Sequence, residues 1–139
     1  MAMEDYCYRL EMKVRDYECD IQGVVNNANY QHYLEHARHE FLESVGVSFA
    51  ELHKRGIDPM VAKITIEYKQ PLRGGDRFVV CIRVERKGAK LLFYQDIYNL
   101  ATNAPVVKGE VCVVCLDNGR LTRGEVFDEL LKSYFTNNK

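Results

Sequence analysis

No stretch of this sequence approaches the roughly 20 consecutive apolar residues that a membrane-spanning helix needs, so no membrane span is expected. Neither charge sign is in excess: 19 Lys and Arg against 20 Asp and Glu leave a net charge of −1. That balance lacks the basic field that attracts nucleic acid, and no nucleic-acid partner is expected. The opening Met1-Ala-Met-Glu-Asp-Tyr6 is acidic and has no apolar run, unlike a secretory signal. A cytoplasmic location is the expectation. The five cysteines, Cys7, Cys19, Cys81, Cys112 and Cys115, are odd in number and without framework spacing, which favours reduced thiols. Repeats, linkers and low-complexity segments are also missing. One domain over residues 1–139, with one core, accounts for the length.

Period-two alternation marks the strands. Tyr8, Leu10, Met12 and Val14 alternate with charged residues in a first strand from Tyr6 to Val14. Further strands are expected over Met60–Lys69, Arg77–Arg86, Leu91–Asn99 and Val106–Leu116, joined by turns at Pro71–Asp76, Lys87–Lys90 and Ala101–Pro105. Asp117-Asn-Gly119 is a strong turn signal after the last of them. Between the first strand and the rest, Tyr30, Tyr33, Leu34, Ala37, Phe41 and Val45 recur at helical spacing and predict one long helix ending before Gly46. Ser48 to Arg55 predicts a short helix with Ser48 as cap, and Arg123 to Phe135 a closing helix. The fold class is α+β, with the long helix laid across one face of an antiparallel sheet. One helix leaves sheet edges and apolar surface uncovered, which predicts association with a second copy.

Two motifs suggest metal and are set aside. Cys112-x-x-Cys115 lies in a strand, where residues three apart point to opposite faces. His32-Tyr-Leu-Glu-His36 matches a zinc-peptidase pattern, but His32, His36 and His39 fall on the helix side opposite its apolar stripe, and the sequence supplies no clear third ligand. No metal and no resident cofactor is expected.

The informative stretch is Asp16 to Tyr30. It follows a strand, is polar and asparagine-rich, and leads into the long helix, with Asn26, Asn27 or Asn29 as its cap. A helix start leaves backbone N–H groups unpaired and carries partial positive charge. Asp20 stands a few residues before those amides. A carboxylate beside free amides suits a reaction that builds negative charge on a carbonyl oxygen. Asp16 and Glu18 are expected to be charged loop residues.

The segment Asp20-x-x-Gly23-Val-Val-Asn-Asn-Ala-Asn-Tyr30, with Glu35-x-x-Arg38 on the helix, resembles the hot-dog fold acyl-CoA thioesterases of the 4-hydroxybenzoyl-CoA thioesterase type. The resemblance covers nearly the whole chain. It implies a five-stranded antiparallel sheet wrapped around the long central helix, with a C-terminal helix, and a homo-oligomer, dimer or tetramer, with sites at subunit interfaces. It implies hydrolysis of an acyl or aryl thioester of coenzyme A or an acyl carrier protein, coenzyme A being part of the substrate. It carries the catalytic carboxylate onto Asp20 and the carbonyl-polarising backbone N–H onto Asn27. Some members carry histidine at that second position; here it is asparagine. Gly23 is expected to let backbone approach the ligand. Val24, Tyr30 and Met60, with Ile21, Phe49 and Val61, are candidates to contact the acyl group. Arg86, Lys87 and Lys90 at a strand turn, and less so Arg73, are candidates for the coenzyme A phosphates. A non-catalytic acyl-thioester binder on the same fold is the alternative.

Overall fold

The alternating segments form a curled antiparallel sheet, and the helical stripe packs into it. The computed structural model describes residues 5–136. Its strands are β1 (Tyr8–Lys13), β2 (Ile57–Tyr68), β3 (Arg77–Lys87), β4 (Lys90–Asn99), β5 (Pro105–Asp117) and β6 (Arg120–Leu121). The sheet order is β1-β3-β4-β5-β2, with β6 paired to β5. The helices are α1 (Asn27–Ser44), α2 (Phe49–Lys54) and α3 (Glu125–Leu131).

Tyr30, Tyr33, Leu34, Ala37 and Phe41 of α1 are each at most 3% exposed and meet Phe78, Val80, Ile82 and Val84 of β3, all at 0%. The predicted face is therefore the buried one, widened by Arg38 and Leu42. Asn26 caps α1, its Oδ1 accepting from the Ala28 N–H at 3.0 Å. Ser48 caps α2 by accepting from the Glu51 N–H. The three histidines of the α1 motif are exposed. Cys115 joins the helix-side core, and Cys112, also buried, does not. A smaller cluster of Tyr6, Val79 and Cys81 lies apart from that core.

Several boundaries differ from the sequence expectation. The first strand's ladder starts at Tyr8, because Tyr6 instead turns its hydroxyl to Asp96 at 2.6 Å. β2 begins three residues early and contains Pro59, which an edge strand tolerates because it needs no inward N–H. The turn at Asn118 and Gly119 has positive φ at both residues, as a two-residue hairpin demands, and it adds the sixth strand, too short to show a pattern. The closing helix is shorter than expected, starting after Gly124, and continues as a 3-10 turn over Lys132–Tyr134.

Close approach of α1 to the sheet centres on Gly109 of β5. A Cβ there would stand 2.8 Å from both the Gln95 carbonyl oxygen and the Leu34 Cδ1. Gly109→Ala is expected to lower stability by about 1–3 kcal/mol through overpacking, read as a shift of the chemical-denaturation midpoint.

Candidate active site

The site is built around a buried carboxylate. Glu18 is 5% exposed. Its Oε1 accepts from the Arg15 N–H at 2.7 Å and from the Tyr33 hydroxyl at 2.8 Å, and its Oε2 accepts from Arg15 Nη2 at 2.8 Å. Its backbone carbonyl accepts from the Asn26 N–H at 3.0 Å and from Asn29 Nδ2 at 2.8 Å. Burial works against its ionisation, but the bonds from Arg15 and Tyr33 outweigh burial and hold the carboxyl below its ordinary value. Glu18 thus ties the loop to the first turns of α1, a role its position in a charged loop does not reveal.

From that anchor the chain makes a tight turn. Asp20 N–H donates to the Val24 carbonyl at 2.8 Å, and Gly23 N–H donates to the Asp20 carbonyl at 3.0 Å. Gly23 has φ +79°, and a Cβ added there would meet nothing within 4 Å, so glycine is needed for its backbone conformation, not for close packing. Val25 N–H donates to the Leu72 carbonyl, and the Leu72 N–H donates to the Tyr30 hydroxyl at 2.9 Å. These bonds clamp the turn between α1 and the connection after β2. Tyr68, at the end of β2, packs its ring edge against Tyr30 at 5.6 Å between centroids.

Asp20, Val24, Asn27, Tyr30 and Tyr68 line one open cavity of about 380 Å³ at the start of α1. Asp20 is exposed, with Oδ1 accepting from the Gln22 N–H at 2.9 Å. Its Oδ2 has no partner among the described residues. The Asn27 N–H, at the first helical position, likewise donates to none of the described residues. Asp20 and Asn27 therefore line the same cavity, one with a carboxylate oxygen and the other with a helix-start N–H left without a partner among the described residues. Tyr68 has no such signal in the sequence, where it is only the last apolar member of an alternating strand.

The other expected residues lie elsewhere. Met60, 50% exposed, sits farther along β2 and is not among the lining of that cavity. Ile21 is fully exposed at the loop tip. Phe49 and Val61 line a second cavity, of about 150 Å³, between α1, α2 and the sheet. Arg86 is committed to the C-terminal segment: Nε donates to Asp128 Oδ1 at 3.0 Å, and Nη2 to the Arg123 carbonyl at 3.2 Å. Lys87 and Lys90 are exposed and face each other at the β3–β4 turn.

Residues 14–133 match the Thioesterase-like superfamily. The chain is 41% identical over 112 residues to the chloroplastic acyl-acyl carrier protein thioesterase ATL3 of Arabidopsis thaliana, covering 80% of this chain but only 59% of that protein. It is 33% identical over 116 residues to the acyl-CoA thioester hydrolase YbgC of Escherichia coli, covering 83% of this chain and 86% of YbgC. Among solved structures, YbaW from Escherichia coli superposes with a TM-score of 0.80 at 27% identity, covering 91% of this chain and 97% of the other.

The Glu18 anchor has a pH signature. Its carboxyl is held low in the folded state, so the stabilisation is complete above the ordinary glutamate value and is lost as pH falls through the folded value. Glu18→Gln is expected to cost about 1–3 kcal/mol at neutral pH. The gap from wild type should narrow as pH falls below the ordinary glutamate value and close once pH is below the lower, folded-state one, as followed by denaturation across a pH series.

Proposed function

The chain belongs to the thioesterase-like superfamily, and on that footing we propose that it hydrolyses acyl thioesters of coenzyme A or acyl carrier protein, using Asp20 and the Asn27 N–H. The observation that carries this is the shared cavity at the start of α1, lined by Asp20 and Asn27, whose carboxylate Oδ2 and backbone N–H have no partner among the described residues. The thioester carbonyl oxygen accepts from the Asn27 N–H, where the helix dipole adds to the hydrogen bond. Asp20 attacks the carbonyl carbon to give a mixed anhydride, or takes a proton from the attacking water. In either course the carbon–sulfur bond breaks, water supplies the acid's hydroxyl, and the thiol leaves.

The second cavity supports the placement of the acyl chain. Its walls are mostly apolar, with Glu35, Arg38 and His39 as the charged and polar members, and it holds Phe49 and Val61, two residues of the kind that contact a hydrocarbon. Association supports the reading too. β2 spans 12 residues at the sheet edge and carries exposed Met60, Val61 and Tyr68. Long apolar edges are covered in native proteins. A second copy pairing along β2 covers this one, and light scattering should then report at least twice the mass of one chain. A fully active monomer would overturn the shared edge.

The catalytic assignment is tested at two residues. Asp20→Asn is expected to lower kcat/KM by about a hundredfold or more on a thioester that the wild type cleaves. Asn27→Ala keeps the backbone donor and should retain activity. Asn27→Pro removes the N–H alone, at a first helical position where proline fits and after an Asn26 already at φ −66°, ψ 140°. It should lose about a hundred- to a thousandfold in kcat with the fold intact. Equal activity of the alanine and proline variants would sink the amide's role.

A further inference from the structure

Tyr68 lines the cavity that Asp20 and Asn27 share, and the hydrolysis proposed above gives it no role. Its ring is held in place. It packs edge-on against Tyr30, with centroids 5.6 Å apart and planes at 63°, and Tyr30 meets Tyr33 in turn at 6.1 Å and 85°. Tyr30 and Tyr33 are buried and their hydroxyls are bonded: Tyr30 accepts from the Leu72 N–H at 2.9 Å, and Tyr33 donates to Glu18 Oε1 at 2.8 Å. Tyr68 is 51% exposed, and its hydroxyl has no hydrogen bond among the described residues. The row of rings therefore runs from the buried Glu18 anchor to one phenol that nothing in the described chain engages.

Helix spacing brings that phenol near the reacting amide. Asn27 and Tyr30 are three residues apart, so they stand on one face of α1 about one turn from each other. Tyr68 rests on Tyr30 and shares the cavity lining with Asn27. The other side-chain donors on that lining are less fixed. Lys69 is paired with Glu67, and the amides of Gln22, Asn27 and Gln70 belong to exposed chains that no hydrogen bond or ring contact holds among the described residues. A thioester oxygen offers two lone pairs, and one backbone N–H occupies one of them. A second donor positioned before the reaction stabilises the developing charge without reorganising, and tyrosine hydroxyls are among the groups that do this. A tyrosine also has only two side-chain torsions to fix.

We propose that the Tyr68 hydroxyl is the second donor to the thioester carbonyl oxygen and completes, with the Asn27 N–H, a two-point oxyanion site. This rests on the thioesterase reading and on the Asn27 assignment. Tyr68 keeps its proton throughout. Its hydrogen bond tightens as the carbon is attacked and charge moves onto oxygen, and loosens when the carbonyl reforms and the thiolate departs.

The test uses the full chain and Tyr68→Phe, which keeps the ring and removes the hydroxyl alone. No internal hydrogen bond of the described chain is lost, so the denaturation midpoint and the mass by light scattering should match wild type; that separates the hydroxyl from the part the ring plays at the β2 edge. On a thioester that wild type cleaves, kcat should fall by about ten- to a hundredfold, with KM within about twofold. A second readout needs no cleavage. A ketone analogue of the thioester, a coenzyme A derivative with a methylene between sulfur and an isotope-labelled carbonyl, is bound to both proteins. The infrared stretch of the bound carbonyl should move back toward its free value in Tyr68→Phe. An unchanged kcat, a rise in KM alone, or the same stretch in both proteins overturns the donor and leaves the thioesterase reading intact. A wild type that binds the ketone and cleaves nothing, with the stretch still relaxing in the variant, refutes hydrolysis and leaves the donor standing. A wild type that neither cleaves a thioester nor binds the ketone overturns both.

Discussion

The loop that presents Asp20 exists in one shape because the carboxylate of Glu18 is buried and answered. Three donors meet its two oxygens, and two more meet its backbone carbonyl. A charged group so far out of water is stable only with this degree of hydrogen bonding. The donors come from before the loop (Arg15), from the helix cap (Asn26, Asn29) and from the second turn of α1 (Tyr33). Satisfying one anion therefore fixes the relative positions of β1's end, the turn and the helix start. Every feature of the candidate site inherits its geometry from that constraint, since Asp20 lies two residues after Glu18 and the unpartnered Asn27 amide follows Asn26 directly.

A second clamp works from the other side. The Leu72 backbone gives its N–H to the Tyr30 hydroxyl and takes the N–H of Val25. The segment after β2 is thereby stitched both to the loop and to α1, and Tyr68 closes against Tyr30. The polar work is done by hydroxyls of tyrosines whose rings belong to the core. One face of α1 thus packs the protein and orders the loop at once, which explains why its buried stripe is rich in aromatics instead of leucine alone.

What the sequence disclosed follows from the range of the forces. Periodicity is local, so α1, its buried stripe and the four long strands were legible from residue spacing. Helix caps are local, so Asn26 and Ser48 were within reach. Asp20 and Asn27 were expected from a motif contiguous in the chain, and the structure puts both along one cavity. Glu18 was not, because nothing beside it announces that Tyr33, fifteen positions on, will supply a donor. Arg86 read as an open basic turn because its partner Asp128 lies 42 residues later. Gln95, at 0% exposure in the middle of β4, carries no signal of burial at all; only the arrival of α1 gives it the Leu34 carbonyl and the Arg38 guanidinium to bond. Side chains whose partners are set by tertiary contact are the ones a single sequence conceals.

The edge strand links the two cavities. Tyr68 at one end of β2 lines the cavity at the start of α1, while Pro59 and Val61 near the other end line the cavity beneath α2. Within one chain these cavities stand toward opposite ends of the same strand. The proposed pairing of two copies along β2 relates them by a two-fold axis, which forces the strands to run antiparallel. The Tyr68 end of one copy then lies beside the Pro59 end of the other.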